Sequence, residues 1–548
     1  MAVVRTLCGQ CAVGCGIRAV TGEGRRFSFA GDPVHPTNGG LLCAQSEALT
    51  AMLPLDGRLL YPMADGQRVS WQRMIGQIAK RLKQVIGHHG PAAIAMHVTG
   101  GLLTEDYYVA NKLMKGFIGS AHIDGPLWSE TGMEAAYRAA LGEDAVPGTY
   151  EDLEQAELIL AVGSSSLLQH PVFADRVAAA REERGSRLIL LTDAGDAGGI
   201  DADLRIEVEQ GSAATLLRGL LLHSHDNRLL DEAFTAAHVS VAAEFWSLLR
   251  PGHDLWSVAR RAGLSPGELR SFYDLFASSR RVVTLCGSSA QKNEPALSRS
   301  ILNLHLAKGW MGRPGAAPIG VADAPNGMGA REVGCDNRQL AAHRDFSHDA
   351  LAHTARFWGA RQMAAEPGLA GAELIEAIDN GEVKALWLLG GLPPAGNLMR
   401  AALAKVPLVI LSTPSLEPNL PLDRVLALPS PVWIERDGTA TGADRLISRQ
   451  RRLFSLPGEA KPDWWSLTQV ARELGWRDAF HYERPAEIYR EHVRLTAYQN
   501  GGERILNLRR HAPISNPAYD ELTPWRWGEL PFDGGRFATP DGKARLLF

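Results

Sequence analysis

The chain has 548 residues and no apolar run long enough to span a membrane, so it offers no candidate transmembrane helix. It also lacks a charge excess. Its 57 Lys and Arg against 61 Asp and Glu leave a formal charge of −4, and no basic face for nucleic acid is implied. Cysteine is scarce, with six residues, too few for a disulfide scaffold. No G-x-G-x-x-G opens a helix and no Walker A sequence occurs, which removes the standard dinucleotide and P-loop sites. Low-complexity segments and repeats of clean period are absent too. A hydrophobic content of 45% and a charged content of 22% fit an ordinary globular protein, here several domains or one multi-lobed enzyme. The stretch Met1–Cys8 leaves no room for a secretory leader, from which a cytoplasmic location is expected. Thiols committed to a cluster suit that reducing compartment.

What is present is concentrated at the start. Cys8, Cys11, Cys15 and Cys43 form the pattern C-x2-C-x3-C-x27-C. Three thiolates on one tight loop, with a fourth arriving later, suit a [4Fe–4S] cluster. Gly9, Gly14 and Gly16 let backbone fold closely around it. A structural zinc site pairs two short clips and fits this spacing poorly. Cysteines two or three residues apart do not bridge one another usefully. Cys286 and Cys335 stand far from the loop and read as inert buried thiols.

Short strands and turns are expected to about residue 60, then a helix from Trp71 to Ile86 with Ile75, Ile78, Ala79, Leu82 and Ile86 at helical spacing. Continuous apolar strands follow at 157–162, 187–193, 282–287, 385–389 and 408–413. Helical stretches such as Phe173–Glu183 and Ser298–Lys308 lie between them. This alternation predicts an α/β fold with mainly parallel sheets. Ligands of such sheets lie beyond the carboxyl ends of the strands. Small-residue loops fall there: Gly163-Ser164-Ser165, Asp193, Gly287-Ser288 with Gln291, Gly390-Gly391 and Thr413. Each alone is an ordinary turn. Several together, beside an iron–sulfur motif, point to a large nucleotide-like cofactor.

The N-terminal cysteines and the α/β lobes together resemble the molybdopterin guanine dinucleotide oxidoreductases, and within them the catalytic subunits of bacterial assimilatory nitrate reductases. The matching stretches include Gly57–Pro62, Leu103–Lys112, Pro147–Glu154, His305–Gly309, Gly312–Gly315, Asn326–Gly334, Asp437–Thr439, Ile447–Arg451, Pro462–Trp465 and Thr539–Arg545. The resemblance implies domains I–III of the formate dehydrogenase/DMSO reductase type. These would be a [4Fe–4S] domain at 1–60, interleaved α/β molybdopterin-binding lobes at 61–330, and a second α/β cofactor lobe with a C-terminal segment at 331–548. It implies molybdenum between two dithiolenes, reduction of nitrate to nitrite by two electrons entering through the cluster, and a flavoprotein or ferredoxin-like electron donor. Gln45, Gly163, Ser164, Ser165, Asp193, Gly287, Ser288, Gln291, Gly390, Gly391 and Thr413 would line the cofactor channels.

Four departures from the family are visible. Its cysteine ligand to molybdenum is missing from His122–Thr131. One alignment puts Ser129 there, another Glu130, with Asp124 nearby; either hard oxygen donor suits molybdenum, and loss of the site is the third reading. Gln45 replaces a lysine that lies between cluster and pterin in the family. Asp193-Ala194-Gly195 replaces an Asp-Pro-Arg, and Gly390-Gly391-Leu392-Pro393 replaces a Gly-Thr-Asn-Pro. The family's C-terminal β-barrel would begin where this chain stops, so a separate cofactor-capping polypeptide is an expected partner. The alternatives to a nitrate reductase are a non-catalytic iron–sulfur electron-transfer or scaffold subunit, and an oxygen-ligated reductase or formate-dehydrogenase-like enzyme.

Overall fold

The computed structural model describes residues 3–126, 132–196, 198–294, 296–321, 324–417, 424–528 and 532–548. The chain begins with a three-stranded antiparallel sheet of Val3–Leu7, Gly16–Thr21 and Phe27–Gly31. Leu7 pairs with Gly16, so residues 8–15, which carry three of the cysteines, are the hairpin's own connection.

Two parallel sheets follow. One has five strands in the order Leu204–Val208, Arg187–Asp193, Leu158–Val162, Val282–Gly287 and Ala317–Val321, every pair parallel. The other has seven, in the order Gln67–Arg68, Met63–Ala64, Val425–Pro429, Leu408–Thr413, Ala385–Leu389, Ile94–Val98 and Ile123–Asp124. Its pairs are parallel except where Met63–Ala64 meets its two neighbours. This sheet draws strands from both sides of residue 330, and the five-stranded sheet lies between them in sequence. All residues of Leu158–Val162 and Ala385–Leu389 are buried, which is why these strands read as unbroken apolar runs.

The expected helix at Trp71 runs to His89, with Ser70 Oγ accepting from Arg73 N–H as its cap. Those at 173–183 and 298–308 are Pro171–Arg184 and Leu297–Ala307. The strands Ile94–Val98, Ala317–Val321 and Val425–Pro429 were not singled out by apolar patterning; each is only five residues long, and His97, Pro318 with Gly320, and Pro429 interrupt or end the apolar run. Among the described residues no helix is long and apolar enough to cross a membrane.

A buried antiparallel ribbon, Gly438–Thr441 with Leu446–Gln450, joins the parts. Glu105, on the helix Thr104–Asn111, accepts from Thr439 N–H at 2.8 Å, Thr439 Oγ1 at 2.9 Å and Tyr519 Oη at 2.7 Å. Glu332 accepts from Thr441 Oγ1 at 3.0 Å and Trp527 Nε1 at 2.6 Å. A Cβ at Gly438 would lie 2.4 Å from Glu105 Oε2, so no larger residue fits there.

Burial pushes both carboxyls up to about 7, against the hydrogen bonds that favour the charged form. Their folded values exceed the unfolded value of 4.5. The stability they confer is therefore complete below pH 4.5 and is lost as pH rises through 7. Each is expected to cost about 2–4 kcal/mol across that window. Urea midpoints measured from pH 5.5 to 7.5 should fall for the native protein and fall less steeply for Glu105→Gln and Glu332→Gln.

Candidate iron–sulfur and cofactor site

The four cysteines converge. A small pocket is lined by Cys8, Cys11, Cys15 and Cys43, together with Gln10, Ser46 and the segment His170–Val172. Cys8 N–H donates to Cys15 O at 2.9 Å and closes the loop. At Gly9 a Cβ would lie 2.3 Å from the Trp433 ring, so glycine lets the loop rest on that indole. The Trp433 Nε1–H in turn donates to Leu7 O at 3.0 Å.

Cys43 arrives on a separate segment, and Asn38 sets its position. Asn38 Oδ1 accepts from Gly16 N–H at 2.8 Å, while Nδ2 donates to Gly16 O at 3.1 Å and Leu41 O at 2.6 Å. One buried amide thus ties the approach to Cys43 to the end of the hairpin loop. Arg176 braces the same segment from the five-stranded lobe, donating to Thr37 O at 2.7 Å, to Pro36 O and to Glu154 Oε1 at 2.7 Å.

Burial pushes the Cys8 thiol up to about 12, opposed by a hydrogen bond from the Gln10 backbone, with Cys11 and Cys43 raising it further. Cys15 is also raised well above its ordinary value, first by burial and then by the other three thiols, while Arg176 opposes the rise. Buried thiols this close to other thiols need positive charge among them before they ionise, as Cys8 and Cys15 show. Among the described residues, no three His, Cys, Asp or Glu side chains close around a single ion. Three thiols on one loop and a fourth from a separate segment suit a multi-iron core. Gln10 Nε2 is buried without a hydrogen-bond partner among the described residues, a donor suited to cluster sulfur. The residues present fit a [4Fe–4S] cluster.

The remaining candidates form two groups at the carboxyl ends of the two parallel sheets. Beyond the five-stranded sheet, Gly163 follows its strand at φ 76°. Ser164 Oγ donates to Asp196 Oδ1 at 2.7 Å, and Ser165 begins the turn that runs on to Gln169. Asp193 ends its strand, Gly287 ends the next, and buried Ser288 follows. Gln291 Nε2 donates to Cys286 O at 2.8 Å, and its Oε1 accepts from Met133 N–H at 2.9 Å. Beyond the seven-stranded sheet lie Gly390, Gly391 and Thr413, whose Oγ1 donates to Ser415 O at 2.8 Å. A Cβ at Gly391, at φ 123°, would meet nothing closer than Thr413 Oγ1 at 3.7 Å, which leaves an open cradle. One small-residue loop at each sheet fits one pterin dinucleotide per lobe.

Asp124 ends the edge strand and bonds His97 Nδ1 at 2.7 Å and Gly371 N–H at 2.9 Å. Ser129 and Glu130 lie outside the described residues. Gln45 is exposed, and its Nε2 donates to Gln169 O at 3.3 Å, linking the approach to the cluster with the loop after Gly163. A second small pocket lies between the two regions: Ala12 and Ala443 line it beside Glu134, Gln291, Gly320 and Arg331. Burial opposes the Arg331 charge, but Asp144, at 2.6 Å, and Glu134 hold its pKa above the ordinary value. Cys286 and Cys335 are buried thiols raised by burial, as expected of inert cysteines. Asn38, Arg176, Trp433 and Arg331 were not singled out from sequence. Gln10, inside the cysteine loop, and Arg331, inside the Asn326–Gly334 stretch, were the two within reach.

A thiol-lined pocket on a hairpin, set against two parallel α/β lobes with open loops at their carboxyl ends, defines a multi-cofactor redox protein. The chain belongs to the molybdopterin oxidoreductase family: the molybdopterin oxidoreductase model matches residues 58–473, and the molybdopterin oxidoreductase Fe4S4 domain matches residues 1–53. Its cofactors are those of that family, a molybdenum–pterin and a [4Fe–4S] cluster. The chain is 39% identical to a nitrate reductase of Klebsiella oxytoca, over all of this chain and 64% of the relative. It is 33% identical to a nitrate reductase of Shewanella frigidimarina, over all of this chain and 61% of the relative. It therefore spans less than two thirds of either. The acetylene hydratase of Pelobacter acetylenicus has the same fold, with a TM-score of 0.77 at 19% identity, over 99% of this chain and 77% of that one.

Asn38→Ala leaves Gly16 N–H buried and unpaired, at a cost of about 1–3 kcal/mol. Iron per chain in the purified variant should drop while far-UV circular dichroism stays native, because the two parallel sheets do not depend on this amide.

Proposed function

We propose that the protein is a molybdenum-dependent oxidoreductase of assimilatory nitrate reductase type, reducing nitrate to nitrite with electrons that enter through the [4Fe–4S] cluster. The observation that carries this reading is the convergence of Cys8, Cys11, Cys15 and Cys43 on one pocket, in a chain 39% identical along its whole length to a nitrate reductase.

The metal–pterin group, when bound, supplies the two-electron oxygen-atom chemistry. The chain's own part is to hold and connect. Cys8, Cys11, Cys15 and Cys43 would ligate the cluster. Gly163, Ser164, Ser165, Asp193, Gly287, Ser288 and Gln291 would cradle one pterin dinucleotide, and Gly390, Gly391 and Thr413 the other. The second pocket has both the cysteine loop's Ala12 and Gln291 in its lining, which supports a short path from cluster to cofactor. Ser129 or Glu130 would offer the metal an oxygen ligand, with Asp124 close in sequence. The electron donor would be a flavoprotein or ferredoxin-like protein.

A second reading is a non-catalytic iron–sulfur subunit of a redox complex. It is favoured by the absence of cysteine from His122–Thr131 and by Gln45, whose exposed amide brings no cation to the cluster's edge. Iron, molybdenum and pterin analysis of the purified protein, with and without its genomic neighbours, separates the two. The enzyme reading expects molybdenum and pterin beside iron, and nitrite from nitrate with a chemical reductant. A full complement of iron with neither molybdenum nor pterin would leave only the second. Ser129→Ala should abolish both molybdenum retention and nitrite formation if Ser129 is the ligand; unchanged values point to Glu130.

A further inference from the structure

Besides the cysteines, the polar side chains that line the cluster pocket among the described residues are Gln10, Ser46 and His170. Val13, Gly14, Leu42, Pro171 and Val172 complete the wall without a polar side chain. Ser46 has spent its proton, because its Oγ donates to Cys43 O at 2.8 Å. His170 stands just before the helix Pro171–Arg184 and turns its ring to Phe173, with centroids 5.8 Å apart.

Gln10 differs. Its Nε2 is shut off from solvent and has no hydrogen-bond partner among the described residues. The residue lies between Cys8 and Cys11, on the loop that the Cys8 N–H to Cys15 O bond closes, and Gly9 before it is pressed onto the Trp433 ring. Its place is therefore fixed by a cysteine of the pocket on either side. A buried amide donor left unpaired costs about 1–3 kcal/mol, so an acceptor is expected opposite it. The anionic acceptors of this pocket are sulfur atoms.

We propose that the Gln10 side-chain amide donates a hydrogen bond to sulfur of the iron–sulfur cluster or of its cysteine ligands, and so raises the reduction potential of the cluster. This rests on the reading of the four cysteines as cluster ligands. Reduction brings one electron from an external donor, dithionite in the test, onto the iron–sulfur core and increases the negative charge on sulfur. An N–H dipole directed at sulfur stabilises that form more than the oxidised one. Gln10 gains and loses no proton, and no covalent bond changes. A carboxamide carries no charge at any pH, so its effect is independent of pH.

Gln10→Leu removes the amide and leaves an apolar side chain of similar bulk. In the full chain, purified without oxygen, iron and labile sulfide should stay at native levels. The cluster potential, followed by EPR during titration with dithionite, should move negative. At a fixed ambient potential the ratio of reduced to oxidised cluster should drop about tenfold, equivalent to 59 mV for one electron. The gap between the two proteins should be the same in mildly acidic and mildly alkaline buffer. A full cluster with an unchanged or more positive potential overturns the proposal. A gap that varies with pH assigns the effect to a titrating group such as His170 and overturns it as well. Native protein with neither iron nor sulfide overturns instead the reading beneath it. Should Gln10→Leu fail to hold a cluster, the native protein decides. With nitrogen-15 only in its glutamine side-chain amides, the reduced cluster should show a nitrogen-15 coupling in pulsed EPR; no coupling overturns the proposal.

Discussion

The ribbon of Gly438–Thr441 and Leu446–Gln450 is where three otherwise separate parts meet, and it does so through buried polar groups. Glu105 reaches it from the helix after the strand Ile94–Val98, and Glu332 from the helix Gly327–Glu332. Arg449, on the ribbon itself, donates to Gly438 O at 2.6 Å and lies 4.2 Å from the Tyr519 ring centroid. Removing one partner of such a buried set costs about 1–3 kcal/mol, because the polar group left behind has no water to turn to. Apolar packing would tolerate sliding between the lobes. Directed bonds from two carboxylates to Thr439 and Thr441 do not.

The cysteine hairpin depends on the same ribbon. Gln450 Oε1 accepts from Thr6 Oγ1 at 2.9 Å and from Leu7 N–H at 3.2 Å, while its Nε2 donates to Trp433 O at 2.9 Å. Trp433 is the indole on which Gly9 rests. The loop 8–15 is local in sequence, but its floor comes from residues more than four hundred positions away. The pocket is therefore a tertiary structure. A hairpin cut from the chain would keep three of the thiols and lose the surface that shapes their loop.

This separation also explains which features could be read from sequence. Cys8, Cys11 and Cys15 announce themselves because their spacing is short, and the strands Leu158–Val162 and Ala385–Leu389 because burial on both faces leaves an unbroken apolar signature. The loops at Gly163 and Gly390 drew notice only because small residues recur at several strand ends of one chain. Glu105, Asn38, Arg176 and Gln450 gave no such signal. Each looks like an ordinary polar residue on an ordinary element until its partner, 22 to 444 positions away, is known. Gln10 fell within the cysteine loop, but no pattern of spacing can reveal that an amide lacks a partner.

Charge around the cluster follows from these contacts. Four thiolates in a buried pocket repel one another, and Gln45 brings no positive charge to them. Arg176 does. It is 8% exposed, and its guanidinium is spent on the carbonyls of Pro36 and Thr37 and on Glu154. The side chain of Glu154 is 48% exposed and well screened by water, whereas the arginine is not. The imbalance leaves a net positive field at Cys15, in the direction that favours its thiolate. The same guanidinium fixes the backbone that leads to Cys43. One residue of the five-stranded lobe therefore both positions the fourth ligand and offsets the charge of the third, which couples the cluster's assembly to the folding of the lobe it would feed.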